Sequence, residues 1–170
     1  AAAALTVAKA ATVSTPKPMT VSDVLAANGI VPEGTIVNDT AANFNAAIKT
    51  LVGAKNVASI VFTDAKPPTI TIEKNFFKAD LTDPTDEDLA LVKKISSNYI
   101  LNITNVSAPM ALLIKAPTKN ATLSLSVNDA LVNLLPDFSS FQSLAKAKTI
   151  SVINVDSSPA GTPKPTFSIT

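Results

Sequence analysis

The chain has 170 residues, 46% of them hydrophobic and 16% charged, so it is long enough to bury a core and too apolar to be a disordered tail. Its 14 cations are all lysine and stand against 13 acidic residues. The resulting net charge of +1 offers no electrostatic case for nucleic acid or an anionic membrane. Cysteine and histidine are absent, which excludes disulfides, thiolate nucleophiles and imidazole bases.

An N-terminal arm, residues 1–18, is low in complexity and ends in Pro-Lys-Pro. Leu5, Val7, Ala11 and Val13 fall on one parity, so they would share a face if the arm were a strand. The arm is therefore either a leader without fixed structure or a strand that pairs elsewhere, for example on a neighbouring subunit. Its alanine-rich beginning fits either cleavage of a signal peptide or a trimmed chain.

Two helices are predicted after the arm. Ser22 or Asp23 is suited to cap a short first helix, and Asn28-Gly29 is suited to stop it. The second helix is predicted to begin at Asp39 or Thr40, because both residues are good N-caps and an amphipathic stretch follows them.

An apolar stripe runs along the second helix, where Phe44, Ile48, Leu51 and Val52 recur at helical spacing. The next run, "ASIVFTD" at 58–64, has three consecutive large apolar residues and predicts a strand buried on both faces. "TITIEK" then alternates between apolar and polar residues, as a half-buried strand does.

Two more helical regions are predicted further along the chain. One begins at Thr85 or Asp86, and the other begins at Asp129 and is split by Pro136, with Asp137 capping its second half. The residues of the former region that are predicted to pack inward are Leu89, Leu91, Val92 and Ile95.

Several strands are predicted around these helices. "YILNITN" at 99–105 and "TISVINVD" at 149–156 each follow one of the helices, and both resemble "ASIVFTD". "MALLIKA" from Met110 and "ATLSLSV" from Ala121 predict two further strands, for which a hairpin is one arrangement, and "TFSIT" predicts a last one.

The start of the second helix recurs at the third helical region, where Val127-Asn128-Asp129 matches Val37-Asn38-Asp39. Helix starts at 39, 86 and 129 follow an interval of about 45 residues, as expected of a repeated helix–strand unit. Three units are predicted, at about 39–72, 86–115 and 129–170.

Such units bury their apolar faces by stacking, with parallel strands and helices that cover one face. We therefore predict one α/β domain, residues 19–170, of stacked helix–strand repeat units with a mainly parallel sheet, preceded by an extended, strand-like N-terminal arm. The alternative is a β-sandwich with short helices, which would follow if the hairpin strands dominate.

The same segments resemble helix–strand repeat modules of very large secreted bacterial surface proteins, of the adhesin, surface-layer and type I secreted kinds. The resemblance implies an extracellular location, a structural or adhesive role and no catalysis. The chain departs from those proteins in lacking the calcium-binding nonapeptides that many carry, since it has only four glycines. The positions that carry the resemblance are Asp39 to Asn43, Ser59 to Asp64, Pro68 to Ile72, Lys94-Ile95 and Tyr99 to Thr104.

Catalytic patterns are scarce in this sequence. A nucleophile activated by histidine is impossible, and no segment singles out a Ser-Lys pair. A pair of carboxylates could serve glycoside chemistry, but sugar sites usually need aromatic platforms, and the chain has one tyrosine and no tryptophan. The sequence therefore predicts that the protein is not an enzyme and that it needs no cofactor.

Two kinds of binding or modification site remain as candidates. Oxygen ligands for Ca²⁺ are available in the acidic stretch "DLTDPTDEDL", although its spacing differs from that of an EF-hand and a solvated helix start explains it equally well. The candidate ligands are Asp80, Asp83, Asp86 and Asp88, and the Asn-x-Ser/Thr sites for possible glycosylation are Asn38, Asn102, Asn105 and Asn120.

The function predicted from the sequence is a secreted, non-enzymatic structural subunit that assembles with itself into a bacterial surface filament or layer. Strand addition by the arm, through Leu5, Val7, Ala11 and Val13, is the expected means of assembly. The alternative is a monomeric adhesin or binding module that recognises a glycan or a host protein. A surface pocket containing Asp, Asn and Tyr99 would favour that alternative. No nucleic-acid partner and no membrane span are expected.

Overall fold

A computed structural model describes residues 17–73, 89–147, 149–155 and 166–167. Within these ranges the chain alternates between helices and strands, and the α/β class predicted from the sequence is confirmed. The elements are α1 (Val21–Ala26), β1 (Ile30–Asp39), α2 (Ala41–Leu51), β2 (Lys55–Phe62), β3 (Thr69–Glu73), α3 (Ala90–Lys93), β4 (Tyr99–Val106), α4 (Ala108–Ala111), β5 (Ala121–Asp129), α5 (Leu131–Leu134), α6 (Phe138–Lys146), β6 (Ile150–Val155) and β7 (Thr166–Phe167).

The strands form two sheets. Strands β1 and β2 pair in parallel, and the larger sheet has the order β3-β4-β5-β6-β7, in which the first four strands are parallel and β7 is antiparallel to β6. A parallel bridge between Ile60 and Ile95 attaches the stretch before β4 to β2. The connections that carry α4 and α6 join neighbouring parallel strands, which is the arrangement expected of crossover helices.

One row of side chains runs across the larger sheet and forms the centre of the core. Ile72, Ile103, Leu125 and Ile150 are partners in register on β3, β4, β5 and β6, and all four are buried. Because side chains alternate along a strand, a single register brings four branched apolar residues onto one face. Two of the three similar apolar runs, at 99–105 and 149–156, contribute Ile103 and Ile150 to this row.

Helix α2 covers the core as its apolar stripe predicts, with one exception. Phe44, Ile48 and Leu51 are buried, and the Phe44 ring meets Phe62 of β2 edge to face at 5.4 Å between centroids. The inclusion of Val52 was wrong, because this residue is the C-cap and remains 36% exposed. The inward packing predicted for the residues around α3 is confirmed for all four, Leu89, Leu91, Val92 and Ile95.

The helix caps agree in part with the sequence. Thr20, rather than Ser22 or Asp23, is the N-cap of α1, and Asp23 completes a capping box from the third helical position. Asn28 and Gly29 end α1 in the left-handed region, with φ of 52° and 73°, as predicted. Thr40 is the N-cap of α2, also as predicted.

Three local predictions need correction. Strand β2 alternates between buried and more exposed residues, so it is not buried on both faces. The strand predicted from Met110 is wrong: α4 occupies Ala108–Ala111 with Pro109 in its first turn, and β5 therefore pairs in parallel with β4 and forms no hairpin. The split at Pro136 is confirmed by a 3₁₀ turn, but Asp137 makes no side-chain cap hydrogen bond.

Five helix-to-strand successions are present in the described ranges: α1–β1, α2–β2, α3–β4, α4–β5 and α6–β6. Between the predicted helix starts at 86 and 129, the interval of about 45 residues covers two successions, α3–β4 and α4–β5. The sequence predicted one unit there because α4 was taken for a strand. The predicted start of the second long helix, at Thr85 or Asp86, lies outside the described residues.

Candidate functional site

Three aspartates lie at or just after the ends of parallel strands. Asp39 and Asp129 are the last residues of β1 and β5, and Asp64 follows β2. Each accepts a hydrogen bond from the first N–H of the helix that directly precedes its own strand, and we call this arrangement the carboxylate clamp. The three bonds run from Val21 N to Asp39 Oδ2 (2.9 Å), from Ala41 N to Asp64 Oδ2 (2.8 Å) and from Ala108 N to Asp129 Oδ2 (2.8 Å).

The clamp suits a helix start on two grounds. The first N–H groups of a helix have no partner within the helix, and the positive end of the helix dipole favours a negative charge. The donor is 18, 23 or 21 residues before the acceptor, and each clamp joins the start of a helix to the end of the strand that follows it. The clamps therefore stabilise the packing of each helix on its own strand as well as the helix start.

Two of the clamps are equivalent at the level of atoms. Asp39 Oδ1 accepts from Thr40 N and from Asn43 Nδ2, both at 2.7 Å. Asp129 Oδ1 accepts from Ala130 N at 2.8 Å and from Asn133 Nδ2 at 2.7 Å. The matching tripeptides were found in the sequence, whereas the role of the asparagines was missed.

Accepted hydrogen bonds lower the pKa of two aspartates at helix starts, Asp39 and Asp23. Burial raises the pKa of Asp39, but hydrogen bonds from the Asn43 side chain and from the N–H groups of Thr40 and Val21 outweigh it, so its pKa is lowered. Hydrogen bonds from the Thr20 backbone and hydroxyl lower the pKa of Asp23. A general base works best with a pKa near the operating pH, so a lowered pKa suits a fixed structural anion instead.

Tyr99, the only tyrosine, is not available at the surface. It is 1% exposed, and its hydroxyl donates to the Val92 carbonyl at 3.1 Å, which joins β4 to α3. Burial raises the pKa of Tyr99, and the Thr118 hydroxyl offsets part of this effect. A surface pocket built from Asp, Asn and Tyr99 is therefore absent from the described part of the chain.

Two groups of predicted residues lie outside the described ranges. Across residues 17–73, 89–147, 149–155 and 166–167, no three acidic side chains are grouped as a metal site would require. Residues predicted from the sequence but outside these ranges are the arm positions Leu5, Val7, Ala11 and Val13 and the calcium candidates Asp80, Asp83, Asp86 and Asp88.

The four glycosylation sequons differ in their surroundings. Asn38 and Asn105 are exposed, and Asn105 has a positive φ of 62° near the end of β4. Asn102 is half-buried in the middle of β4, and Asn120 donates from Nδ2 to the Ser96 carbonyl at 3.0 Å. Asn38 and Asn105 are therefore the two sequons whose side chains are most accessible from solvent.

A groove of about 740 Å³ lies between α2 and β3. Its walls are mostly polar and carry one lysine and one glutamate, and Asn45 of α2 reaches from one wall to the edge of β3. The lining residues are Asn45, Ala46, Ile48, Lys49, Thr71, Ile72 and Glu73.

Comparison with known proteins adds no family. A scan against protein-family models finds no match, and searches of curated proteins and of solved structures find no significant match either. None of the described helices combines the length and the apolar character needed to cross a bilayer.

Proposed function

We propose that this chain is a non-enzymatic structural subunit of a secreted bacterial assembly, a surface filament or layer made of many copies of itself. The observation that carries the proposal is the use of the strand-end carboxylates. At this edge of a parallel sheet many α/β proteins hold a ligand. Here Asp39, Asp64 and Asp129 instead bind the helix starts of their own chain.

Composition and resemblance support the extracellular part of the proposal. Cysteine is absent, long charged side chains are few and threonine, serine and asparagine are frequent, as in the large secreted surface proteins that segments of the chain resemble. A subunit made of stacked parallel units has a direction from its first to its last strand. Contacts from the end of one copy to the start of the next are head-to-tail and extend into filaments when they do not close.

The second candidate function is that of a monomeric adhesin or binding module for a glycan or a host protein. The groove between α2 and β3 favours it, because it has room for a small ligand and presents amide, hydroxyl and charged groups. The burial of Tyr99 counts against a sugar site that depends on tyrosine stacking, and this is why assembly is the first proposal.

The test compares three chains by light scattering and negative-stain electron microscopy over a range of concentrations. They are the full chain, a chain without residues 1–18, and a full-length control whose first 18 residues are scrambled so that composition is kept and alternation is lost. Filaments or sheets from the full chain alone support assembly by the arm. Three monomeric chains at high concentration contradict the proposal, and glycan-array binding would then test the adhesin.

A further inference from the structure

Within residues 17–73, 89–147, 149–155 and 166–167, the outer edge of β3 is closed by a side chain rather than by a strand. Asn45 Nδ2 donates to Thr69 O at 2.9 Å, and Thr71 N donates to Asn45 Oδ1 at 3.3 Å. A carboxamide has one donor and one acceptor side, as a peptide group does, so Asn45 satisfies two edge groups as one residue of a neighbouring strand would. We call this pair of bonds the Asn45 latch.

Alternation along β3 accounts for the groups that the latch engages. Ile100 N of β4 donates to Pro68 O at 2.8 Å, so the carbonyl of Pro68, directly before β3, faces β4. Groups that face β4 and groups that face away alternate along a strand, so those of Thr69 and Thr71 face the free edge. That edge borders the groove of about 740 Å³, which leaves space beside the strand.

The edges of β1 and β2 are closed by backbone. Beside β1, Met19 exchanges hydrogen bonds with Ile36 O and Asn38 N at 2.9 and 2.8 Å, and Pro18 next to it has no N–H to offer a further strand. Beside β2, Ile60 N donates to Lys94 O and Ser96 N donates to Ile60 O, both at 2.9 Å. Of these three edges, β3 therefore has the closure that is most easily exchanged, since two side-chain bonds give way to a longer set of backbone bonds.

We propose that the edge of β3 is the acceptor site for assembly, and that its occupant is the N-terminal segment 1–16 of a second copy, which displaces the Asn45 latch. This inference rests on the proposed function. The segment before Lys17 reaches up to about 50 Å when extended, against about 17 Å for the five residues of β3. Its alternating Leu5, Val7, Ala11 and Val13 are suited to β-strand pairing.

Disulfide trapping tests the occupant, because a chain without cysteine permits clean single-cysteine variants. One preparation carries Thr71→Cys, and it is mixed under oxidising conditions with a second that carries Val7→Cys or Val13→Cys. The expected result is a covalent dimer for at least one arm position. The control partner carries Gln142→Cys on the exposed face of α6, where no dimer above background is expected.

The latch itself is tested by Asn45→Ala, which keeps the helix and frees the two edge groups. The lowest concentration that yields filaments is expected to fall by about tenfold, as loss of two competing hydrogen bonds implies. The matched control is Lys49→Ala, an exposed residue of the same helix and groove, which is expected to leave that concentration unchanged.

The results separate this inference from the proposed function. If filaments form but no disulfide joins the arm to Thr71→Cys, the β3 acceptor is overturned and the structural function stands. The same holds if Asn45→Ala and the native chain form filaments at the same lowest concentration. If neither the native chain nor Asn45→Ala assembles, both proposals fall. Dimers trapped as readily through Gln142→Cys as through Thr71→Cys also overturn the assignment, because they report random collision.

Discussion

The clamps of Asp39 and Asp129 use the same hydrogen bonds, yet the helices that they hold have different additional support. Thr20 caps α1 within a capping box, and the Thr40 hydroxyl accepts from Asn43 N at the start of α2. In the second region, around Asp129, Ser107 makes no side-chain cap hydrogen bond for α4, and alanine at position 130 has no side-chain acceptor for α5. The same motif is therefore expected to contribute different amounts to the free energy of unfolding in the two regions, because the neighbouring cap residues differ.

The largest effect is expected from Asp129→Ala. It removes the acceptor for Ala108 N, Ala130 N and Asn133 Nδ2, and no neighbouring cap replaces it, so the free energy of unfolding should fall by about 2–3 kcal/mol. Urea denaturation measures this fall. Asp137→Ala is the control, because this exposed aspartate makes no cap hydrogen bond, and equal losses for the two variants would contradict the clamp.

Asp39→Ala is expected to cost less, about 1–2 kcal/mol, because Thr20 and Thr40 still cap their helices. Adding Thr40→Ala makes the first region resemble the second and should bring the total close to that of Asp129→Ala. The measurement is a double-mutant cycle by urea denaturation. Strictly additive single losses would mean that the two caps do not support each other.

The reverse exchange should stabilise the second region. Ala130→Thr supplies the hydroxyl that Thr40 provides in the first region, and a gain of about 0.5–1 kcal/mol is expected. Thermal unfolding with and without Asp129→Ala measures both the gain and the predicted reduction in the cost of losing the aspartate. Ser107→Ala serves as the comparison, since this residue makes no side-chain cap bond.

The smallest effect is a pH dependence in the first region. The pKa of Asp39 is lowered in the folded state, so its contribution is present above the unfolded pKa of about 4 and is lost as pH falls through the folded pKa. The stability difference between the native chain and Asp39→Asn should therefore shrink between about pH 5 and pH 2. Solvent screening keeps the effect modest, and a difference that grows on acidification would reverse the assigned direction.

Much of the fold was predictable because its signals are local. The apolar stripe of α2, the Asn28-Gly29 stop and the matching tripeptides before Asp39 and Asp129 depend on neighbouring residues. Helix α4 was missed because a short apolar run is compatible with either a strand or a buried helix, and the helical signal is limited to Pro109, which suits a first helical turn.

The clamps and the latch could not be predicted, because their partners are distant in sequence. Asp129 meets Ala108 N across 21 residues, and Asn45 meets Thr69 and Thr71 across 24 and 26. Nothing local distinguishes Asn45 from the other asparagines of the chain. The spacing of four residues from Asp39 to Asn43, repeated from Asp129 to Asn133, was the one available signal.

The burial of Tyr99 also determines what the absorbance and fluorescence of this protein report. With no tryptophan and a single tyrosine, its absorbance and emission in the tyrosine band come from one ring, and its seven phenylalanines absorb at shorter wavelengths. That ring is packed where α3 meets β4, with its hydroxyl bonded to a carbonyl. The chain therefore contains a natural optical probe of that junction, and detection in the tyrosine and tryptophan absorption band will give only a weak signal during its purification.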